Sequence, residues 1–152
     1  MERIVIKIGT NVLADNQGKI DYDIMKNIAE VIARIKDQNE IIMVTSGAIG
    51  AGMSELNLKE RPKETKMQQA CAAVGQSILI SKYREFFNNH KLKVAQILLT
   101  YRDFTDKTTE LNLKNSIRTL LEMDTIPIIN ENDPIAINEI GPSFGDNDKL
   151  SA

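Results

Sequence analysis

Short runs of consecutive apolar residues alternate along the chain with longer segments in which apolar residues recur every three or four positions. The short runs span residues 3–8, 40–45, 92–100 and 125–130. Their length and their β-branched residues predict four β-strands. The longer segments span residues 21–39, 64–87 and 108–123. Their spacing predicts helices, of which the first is capped by Asp21.

The strict alternation of strands and helices predicts an α/β fold with a parallel sheet. The strands are nearly continuous apolar runs, as expected where helices cover both faces of a sheet. A further short helix is predicted to begin near Ala48, and residues 9–20 are predicted to be a loop. Parallel sheets of this kind bind ligands beyond the carboxyl ends of their strands.

Polar residues lie at the end of each predicted strand, and this convergence is the main functional signal in the sequence. They are Lys7, Gly9 and Thr10 at the end of the first strand, Thr45, Ser46 and Gly47 at the end of the second, residues 100–103 at the end of the third and residues 130–133 at the end of the fourth. Because parallel strands end at one edge of the sheet, these groups are expected to lie together.

The glycines of residues 47–52 do not match the common nucleotide-binding patterns. They read G-x-x-G-x-G, whereas the dinucleotide fingerprint is G-x-G-x-x-G, and Met53 stands where a P-loop would have lysine. The hydroxyl of Ser46 and the amides at the start of a helix can bind an anion, although the same residues are also an ordinary helix start. Gly50 and Gly52 predict the close approach of either a ligand or another backbone segment.

Lys7 and Gly9 have two interpretations. In the first, Lys7 is a strand-end lysine that reaches solvent. Alternatively, Gly9 lets a phosphate approach the backbone while Lys7 supplies the positive charge.

The acids near the end of the chain also allow more than one role. Residues 130–134 read as a turn, yet Asp133, Asp146 and Asp148 together could hold an ammonium group or a metal ion. Their spacing does not fit an EF-hand. His90 is interpreted as a surface residue and Cys71 as a packing residue, while Arg102 and Asp103 remain ambiguous.

Composition narrows the functional classes. The chain has 152 residues, 42% hydrophobic residues, a formal net charge of -2 and one cysteine. These values predict a single soluble domain without an electrostatic footprint for nucleic acid. One cysteine fits a cytoplasmic protein, and no apolar run approaches the ~20 residues that span a membrane.

Five segments resemble the glutamate 5-kinases of the amino acid kinase family, in that family's order along the chain. They are VIKIGTNVL, IIMVTSGAIGAGM, QQACAAVGQSILI, PIINENDPIA and FGDNDKLSA. The single glycine after KI, the TSGA turn and the NEND and GDND pair distinguish this resemblance from aspartate kinases, acetylglutamate kinases and UMP kinases. The resemblance implies an αβα sandwich with a mainly parallel sheet.

The resemblance also implies an activity, which is ATP-dependent phosphorylation of the side-chain carboxylate of L-glutamate with Mg²⁺, the first step of proline biosynthesis. It implies a homo-oligomer and makes glutamyl phosphate reductase a candidate partner. Lys7 would contact the ATP phosphates and the transition state, Asp148 would hold Lys7 in place, and Gly9 and Thr10 would lie near the phosphates. The substrate would be bound by Ser46, Gly47, Asp133, Asp146 and Asn147, and no residue is assigned to a metal.

Residues 1–152 are therefore expected to be the N-terminal, substrate-binding part of an amino acid kinase domain, with the ATP-binding C-terminal part missing and the sheet incomplete. Two alternatives remain open. One is a non-catalytic amino-acid sensor on the same fold, and the other is a family member with a different acidic substrate. Turnover with ATP separates a kinase from a sensor. A Rossmann-type oxidoreductase is disfavoured by the order of the glycines.

Overall fold

Four strands alternate with five α-helices in the part of the chain that the structure, a computed structural model, describes, namely residues 1–15 and 18–136. The elements are β1 (Glu2–Lys7), α1 (Thr10–Leu13), α2 (Tyr22–Lys36), β2 (Asn39–Val44), α3 (Ala48–Glu55), α4 (Thr65–Asn88), β3 (Lys93–Leu99), α5 (Lys107–Glu122) and β4 (Thr125–Glu131). A short 3₁₀ turn, Tyr101–Phe104, lies between β3 and α5. Over these residues, none of the helices combines the length and the apolar character that crossing a membrane requires.

The strands form one parallel sheet in the order β1-β2-β4-β3. Lys7 pairs in register with Val44, which pairs with Ile129, and Ile129 pairs with Ile97. All four strand ends therefore lie at one edge of the sheet. The parallel α/β fold and the four strands predicted from the sequence are confirmed.

Helices pack on both faces of the sheet and give three layers. Helices α2 and α4 cover one face, where Ile41, Met43 and Ile128 are buried. Helix α5 covers the other face over Val44 and Ile129. On that second face β1 is left open, since Val5 is 44% exposed. The expectation that helices cover both faces is therefore wrong for β1 within the described residues.

Local side-chain contacts set where two helices begin. The carboxylate of Asp21 accepts hydrogen bonds from the amides of Asp23 and Ile24 at 2.9 and 3.2 Å, which confirms the predicted cap of α2. Asp106 caps α5 through the amide of Thr109 at 2.7 Å. These caps satisfy amides that the first turn of a helix leaves without partners.

Residues 9–20 contain a helical turn that the predicted loop does not include. Helix α1 (Thr10–Leu13) places the side chain of Leu13 in the core with no exposed surface. A single turn is too short to show helical periodicity, so the sequence pattern could not reveal it. After this turn of helix the amide of Gly18 donates to the carbonyl of Asp15 at 2.9 Å and Gly18 has a φ of 78°, which agrees with the predicted loop.

Helices α3 and α4 approach each other through glycines. A Cβ atom on Gly52 would lie 1.8 Å from the carbonyl oxygen of Cys71, and one on Gly75 would lie 1.8 Å from that of Ala48. Both obstacles are backbone atoms, which cannot rotate away as a side chain can. The two helix backbones are therefore in direct contact, and any side chain at either glycine would force them apart.

We expect Gly75→Ala to destabilise the protein by about 1–3 kcal/mol, because the added methyl group overpacks a backbone contact. The gain in helix propensity from glycine to alanine, about 1 kcal/mol, does not offset this. Urea unfolding of the protein that carries this chain measures the change. Ser77→Ala, an exposed position on the same helix, is the matched control. Equal midpoints for the two variants would contradict the contact.

Candidate active site

Lys7 is the last residue of β1, and its side chain lies beside Gly9 in the turn that follows. Ile4, Ile6 and Ile8 pack into the core under α2 and α4, so the alternation of strand side chains puts Lys7 on the opposite face. Its Nζ atom lies 3.6 Å from the position that a Cβ on Gly9 would occupy. The lysine ammonium and the Gly9 backbone therefore border the same small space.

Gly9 has no conformational reason to be glycine. Its φ of -78° and ψ of 161° are open to any residue, and an added Cβ would meet its neighbours at ordinary contact distance. Such a Cβ would fill the space beside the Lys7 ammonium. A bare backbone next to a lysine suits a phosphate group, which can approach both. Thr10 follows as the first residue of α1 and is half-buried.

Ser46 and Gly47 form the turn from β2 into α3. Gly47 adopts a φ of 103°, which favours glycine, and a Cβ there would lie 2.7 Å from the Ile20 side chain. Ser46 is buried, and the N-cap residue of α3, Gly47, has no side chain that could cap the first amides of the helix. Amides at such an uncapped start can bind a carboxylate or phosphate.

The later glycines of this turn pack against backbone rather than lining the sheet edge. A Cβ on Gly50 would lie 2.5 Å from the carbonyl oxygen of Gly18, and Gly52 contacts α4 as described above. Of the two explanations that the sequence left open for these glycines, close approach of another backbone is the one observed. Ser46 and Gly47, at the beginning of the glycine turn, lie next to the end of β2 at the sheet edge.

Asp133 lies just beyond the end of β4 and is half-buried. Burial raises the pKa of its carboxyl to about 6, and the guanidinium of Arg61 acts in the opposite direction. The carboxylate is therefore ionised at neutral pH, at a cost that a positively charged ligand would remove. Arg61 was not singled out in the sequence, since an isolated arginine in a polar loop carries no signal.

Glu131, the last residue of β4, is a buried acid that the sequence did not distinguish from its neighbours. It is 8% exposed, and its Oε1 atom has no hydrogen-bond partner among the described residues. Its position two residues after Ile129 places its side chain on the sheet face that α5 covers. The signal was a charged residue at the end of an otherwise apolar strand.

Several other candidates are resolved as structural. Asp103 accepts hydrogen bonds from the amide and hydroxyl of Thr100, at 2.6 and 2.9 Å, and so caps the 3₁₀ turn. Cys71 is fully buried, and burial raises the pKa of its thiol, which confirms a packing role. His90 is exposed, as expected, and so is Arg102. The described residues contain no group of three or more acidic, cysteine or histidine side chains able to hold a metal.

Asp146, Asn147 and Asp148 lie outside the described residues, so their roles remain predictions. The sequence pattern also predicts a short hairpin over residues 134–145 and a helix start at residues 146–152, and these lie largely outside the described residues. The structure brings the other predicted site residues, Lys7, Ser46 and Asp133 among them, to one edge of the sheet.

Comparisons with known proteins identify the family. The sequence profile of the Amino acid kinase family matches residues 2–152. The chain belongs to the amino acid kinase family. The "Glutamate 5-kinase" of Methanococcoides burtonii is 51% identical over 152 residues, and that of Caldanaerobacter subterraneus is 47% identical over 151 residues. Each match covers 99% of this chain but only 40% of the relative, so the chain spans less than half the length of these relatives.

A solved structure supports the fold of this amino acid kinase chain independently. The crystal structure of UMP kinase from Ureaplasma parvum superimposes with a TM-score of 0.51 at 21% identity. The match covers 85% of this chain and 55% of the UMP kinase. At that identity the likeness concerns the arrangement of strands and helices, and it confirms the α/β fold of the family.

The raised pKa of Asp133 predicts a pH-dependent stability. The folded protein binds the proton of the Asp133 carboxyl more tightly than the unfolded chain does. The carboxyl therefore lowers the free energy of unfolding little near pH 4, and it destabilises the ligand-free fold as the pH rises through 6. We therefore expect Asp133→Asn to stabilise the protein at pH 8 by on the order of 1–2 kcal/mol. Urea unfolding between pH 4 and pH 8 should show that the stabilisation by Asp133→Asn becomes smaller as the pH is lowered.

Asp106 is the matched control with the opposite sign. Hydrogen bonds, first of all from the amide of Thr109, lower the pKa of its carboxyl. Asp106 therefore stabilises the folded protein above the pKa that its carboxyl has in the unfolded chain. This stabilisation is lost as the pH falls through the lowered pKa of the folded protein. Asp106→Ala should destabilise the protein at pH 8 and matter less in acid. A pH-independent effect of Asp133→Asn would refute its raised pKa.

Proposed function

We propose that the protein that contains this chain uses ATP to phosphorylate the side-chain carboxylate of L-glutamate, in the first step of proline biosynthesis. The observation that carries the proposal is the sheet edge. There a lysine beside a bare glycine backbone lies together with an uncapped helix start and a half-buried acid. Relatives that are about half identical to this chain and carry the name glutamate 5-kinase support it.

The charges at the edge are complementary to those of glutamate. An amino acid brings an ammonium group, which needs an acidic acceptor, and Asp133 is a half-buried carboxylate beyond β4. Glutamate also brings two carboxylates, which need donors. The hydroxyl of Ser46 and the amides at the start of α3 can supply donors for one of them.

The reacting carboxylate of glutamate needs no general base, because its free pKa of ~4.3 leaves it ionised at neutral pH. The protein must instead align two anions and offset their repulsion. Lys7 brings a positive charge to the end of β1, beside Gly9. An uncharged substitute at this position would remove one of the positive charges that, with Mg²⁺, offset this repulsion. This accounts for an edge that relies on a lysine and on backbone amides instead of a histidine.

The nucleotide would be held at the end of β1. ATP supplies the phosphoryl group when bound, and Lys7, Gly9 and Thr10 would contact its phosphates. The space beside Gly9, which a Cβ would fill, fits that assignment. Mg²⁺ commonly binds through substrate phosphates and only one or two carboxylates, so the lack of a three-acid cluster among the described residues is compatible with it.

The proposal extends to the organisation of the enzyme. Residues 1–152 would be the N-terminal, substrate-binding part of an amino acid kinase domain, consistent with their covering 40% of the relatives. In that enzyme Asp148 would orient Lys7, and Asp146 and Asn147 would contact glutamate. The enzyme would be a homo-oligomer, with glutamyl phosphate reductase as the partner that consumes its unstable acyl phosphate.

The experiment is an assay of the complete protein with ATP, Mg²⁺ and glutamate, in which hydroxylamine traps the acyl phosphate. Aspartate, N-acetylglutamate and UMP serve as competing acceptors. The proposal would be established if glutamate gives the hydroxamate and supports faster ADP release than aspartate, N-acetylglutamate or UMP does. Turnover with another acceptor would reassign the substrate, and glutamate binding without ADP formation would favour a sensor.

We expect Lys7→Ala to lower kcat at least tenfold, a loss of ~1.4 kcal/mol or more of transition-state stabilisation, while glutamate affinity stays nearly unchanged. The reason is that its charge opposes repulsion that develops as the two anions approach. Steady-state kinetics of the complete enzyme measure the change. Lys26→Ala, an exposed lysine on α2, should retain full kcat. Retention of most of kcat by Lys7→Ala would remove Lys7 from catalysis.

We expect Asp133→Asn to weaken glutamate binding by roughly ten- to a hundredfold while ATP binding changes little, because a charge-assisted hydrogen bond contributes ~1.5–3 kcal/mol. Titration calorimetry with each substrate measures both dissociation constants. Asp23→Asn, which alters an exposed carboxylate in the first turn of α2, is the control. Equal losses for both substrates would indicate a structural turn or a metal ligand instead.

A further inference from the structure

Gln76 and Tyr83 are two buried polar residues on α4, whose other buried residues are a glycine, a cysteine and apolar residues. Gln76 is 6% exposed and Tyr83 has no exposed surface. They are seven residues apart, which is two helical turns, so they lie on the same side of α4 about 10 Å apart. Leu79, between them, is buried in the core against the sheet.

Tyr83 contacts the exit of β2. Its hydroxyl lies 2.8 Å from the hydroxyl of Thr45, and both groups are buried. Thr45 immediately precedes Ser46, and its amide donates to the carbonyl of Ile129 on β4 at 2.9 Å. The helix therefore holds β2 at the residue next to the proposed substrate contact.

Gln76 contacts the two strands on the other side, at the end of β4 and in the middle of β3. Its Nε2 atom donates to the carbonyl oxygen of Glu131 at 2.9 Å, two residues before Asp133. Its Oε1 atom accepts from Nε2 of Gln96 on β3 at 3.3 Å. With both ends of its amide engaged, Gln76 connects α4 to β4 and β3 together.

A small cavity of about 10 Å³ lies between these two contacts. Its lining includes the side chains of Thr45, Gln76, Tyr83, Gln96 and Asn130. That volume and those polar groups suit one ordered water molecule, which needs two to four polar partners. The polar residues thus surround one connected site under the strand exits.

Apolar residues would pack α4 against the sheet without a desolvation penalty, whereas a buried polar group costs free energy unless its hydrogen bonds are made. Here the Tyr83 hydroxyl and the Nε2 atom of Gln76 are directed at atoms of Thr45 and Glu131, which lie within two residues of Ser46 and Asp133 respectively. We propose that Gln76 and Tyr83 are positioning residues, which set the spacing between Ser46 and Asp133 and thereby the affinity for glutamate. The inference rests on the proposed function.

The first test is Tyr83→Phe in the complete enzyme, which removes one hydroxyl and keeps the ring. We expect the KM for glutamate to rise roughly three- to tenfold, with the KM for ATP unchanged and kcat altered less. Thr45→Val should have the same effect, and the double variant should be no worse than either single variant. An unchanged glutamate KM, or equal changes in both KM values, would overturn the proposal.

Phe87→Leu is the matched control for a merely structural effect. The Phe87 ring stacks with Tyr83 at a centroid distance of 6.4 Å, one turn further along α4, and has no polar group. The Phe87→Leu variant should lower the unfolding temperature at least as much as Tyr83→Phe does, while its KM for glutamate stays unchanged. If Phe87→Leu raises the glutamate KM equally, packing alone explains the effect and the positioning role is lost.

Gln76→Met tests the second contact with a side chain of similar length, and the same selective rise in glutamate KM is expected. If that variant does not fold, Tyr83→Phe decides the outcome.

Hydrogen exchange separates this proposal from the proposed function, because it needs no turnover. In Tyr83→Phe, the amides of residues 45–48 should exchange faster than in the unchanged protein, while those of α5 should not change. Unchanged exchange at residues 45–48 would overturn the positioning role even in an active enzyme. Absence of glutamate-dependent turnover in the unchanged protein would instead overturn the proposed function.

Discussion

The contact between the backbones of α3 and α4 is the constraint on which the sheet edge depends. Gly52 and Gly75 let the two helices approach until main-chain atoms touch. Gly75 touches the carbonyl of Ala48, the first residue of α3, so this approach places the start of α3 against α4, next to Ser46 and Gly47. Along the same helix, the polar side chains of α4 meet the exits of β2 and β4. A packing requirement with no chemistry of its own thus arranges the groups that would bind a substrate.

Much of this arrangement could be predicted because it follows from simple patterns. Apolar runs of strand length, separated by amphipathic helices, predict parallel strands, and parallel strands bring their polar ends to one edge. The positions of Lys7, Ser46 and Asp133 at that edge follow directly. The turn of helix at Thr10–Leu13 could not be predicted, since one turn has no period. The role of Gly50 was open because a glycine alone does not show what approaches it.

The contributions of Gln76 and Tyr83 were invisible in the sequence for a different reason. A polar residue within an amphipathic helix has the same letter whether it faces water or the sheet, and only the orientation of α4 decides. Glu131 illustrates the same limit at the end of a strand. Charge and burial must be known together before such residues can be recognised, and burial is a property of the folded chain. Asp133 could be recognised because Asp146 and Asp148 repeat its acidic chemistry further along the chain and because its segment carries the family resemblance.

The kind of atom that each glycine touches also determines how the chain can drift in evolution. Beside Gly47 the obstacle is the side chain of Ile20, which a second mutation to a smaller residue can remove. The backbone angle at Gly47 would still disfavour a replacement of this glycine. Beside Gly52 and Gly75 the obstacles are carbonyl oxygens, which every amino acid carries. No second mutation at the touching residue can remove them. Lineages that lose either glycine should regain function by true reversion or by shifting a whole helix, and local suppressors should be absent.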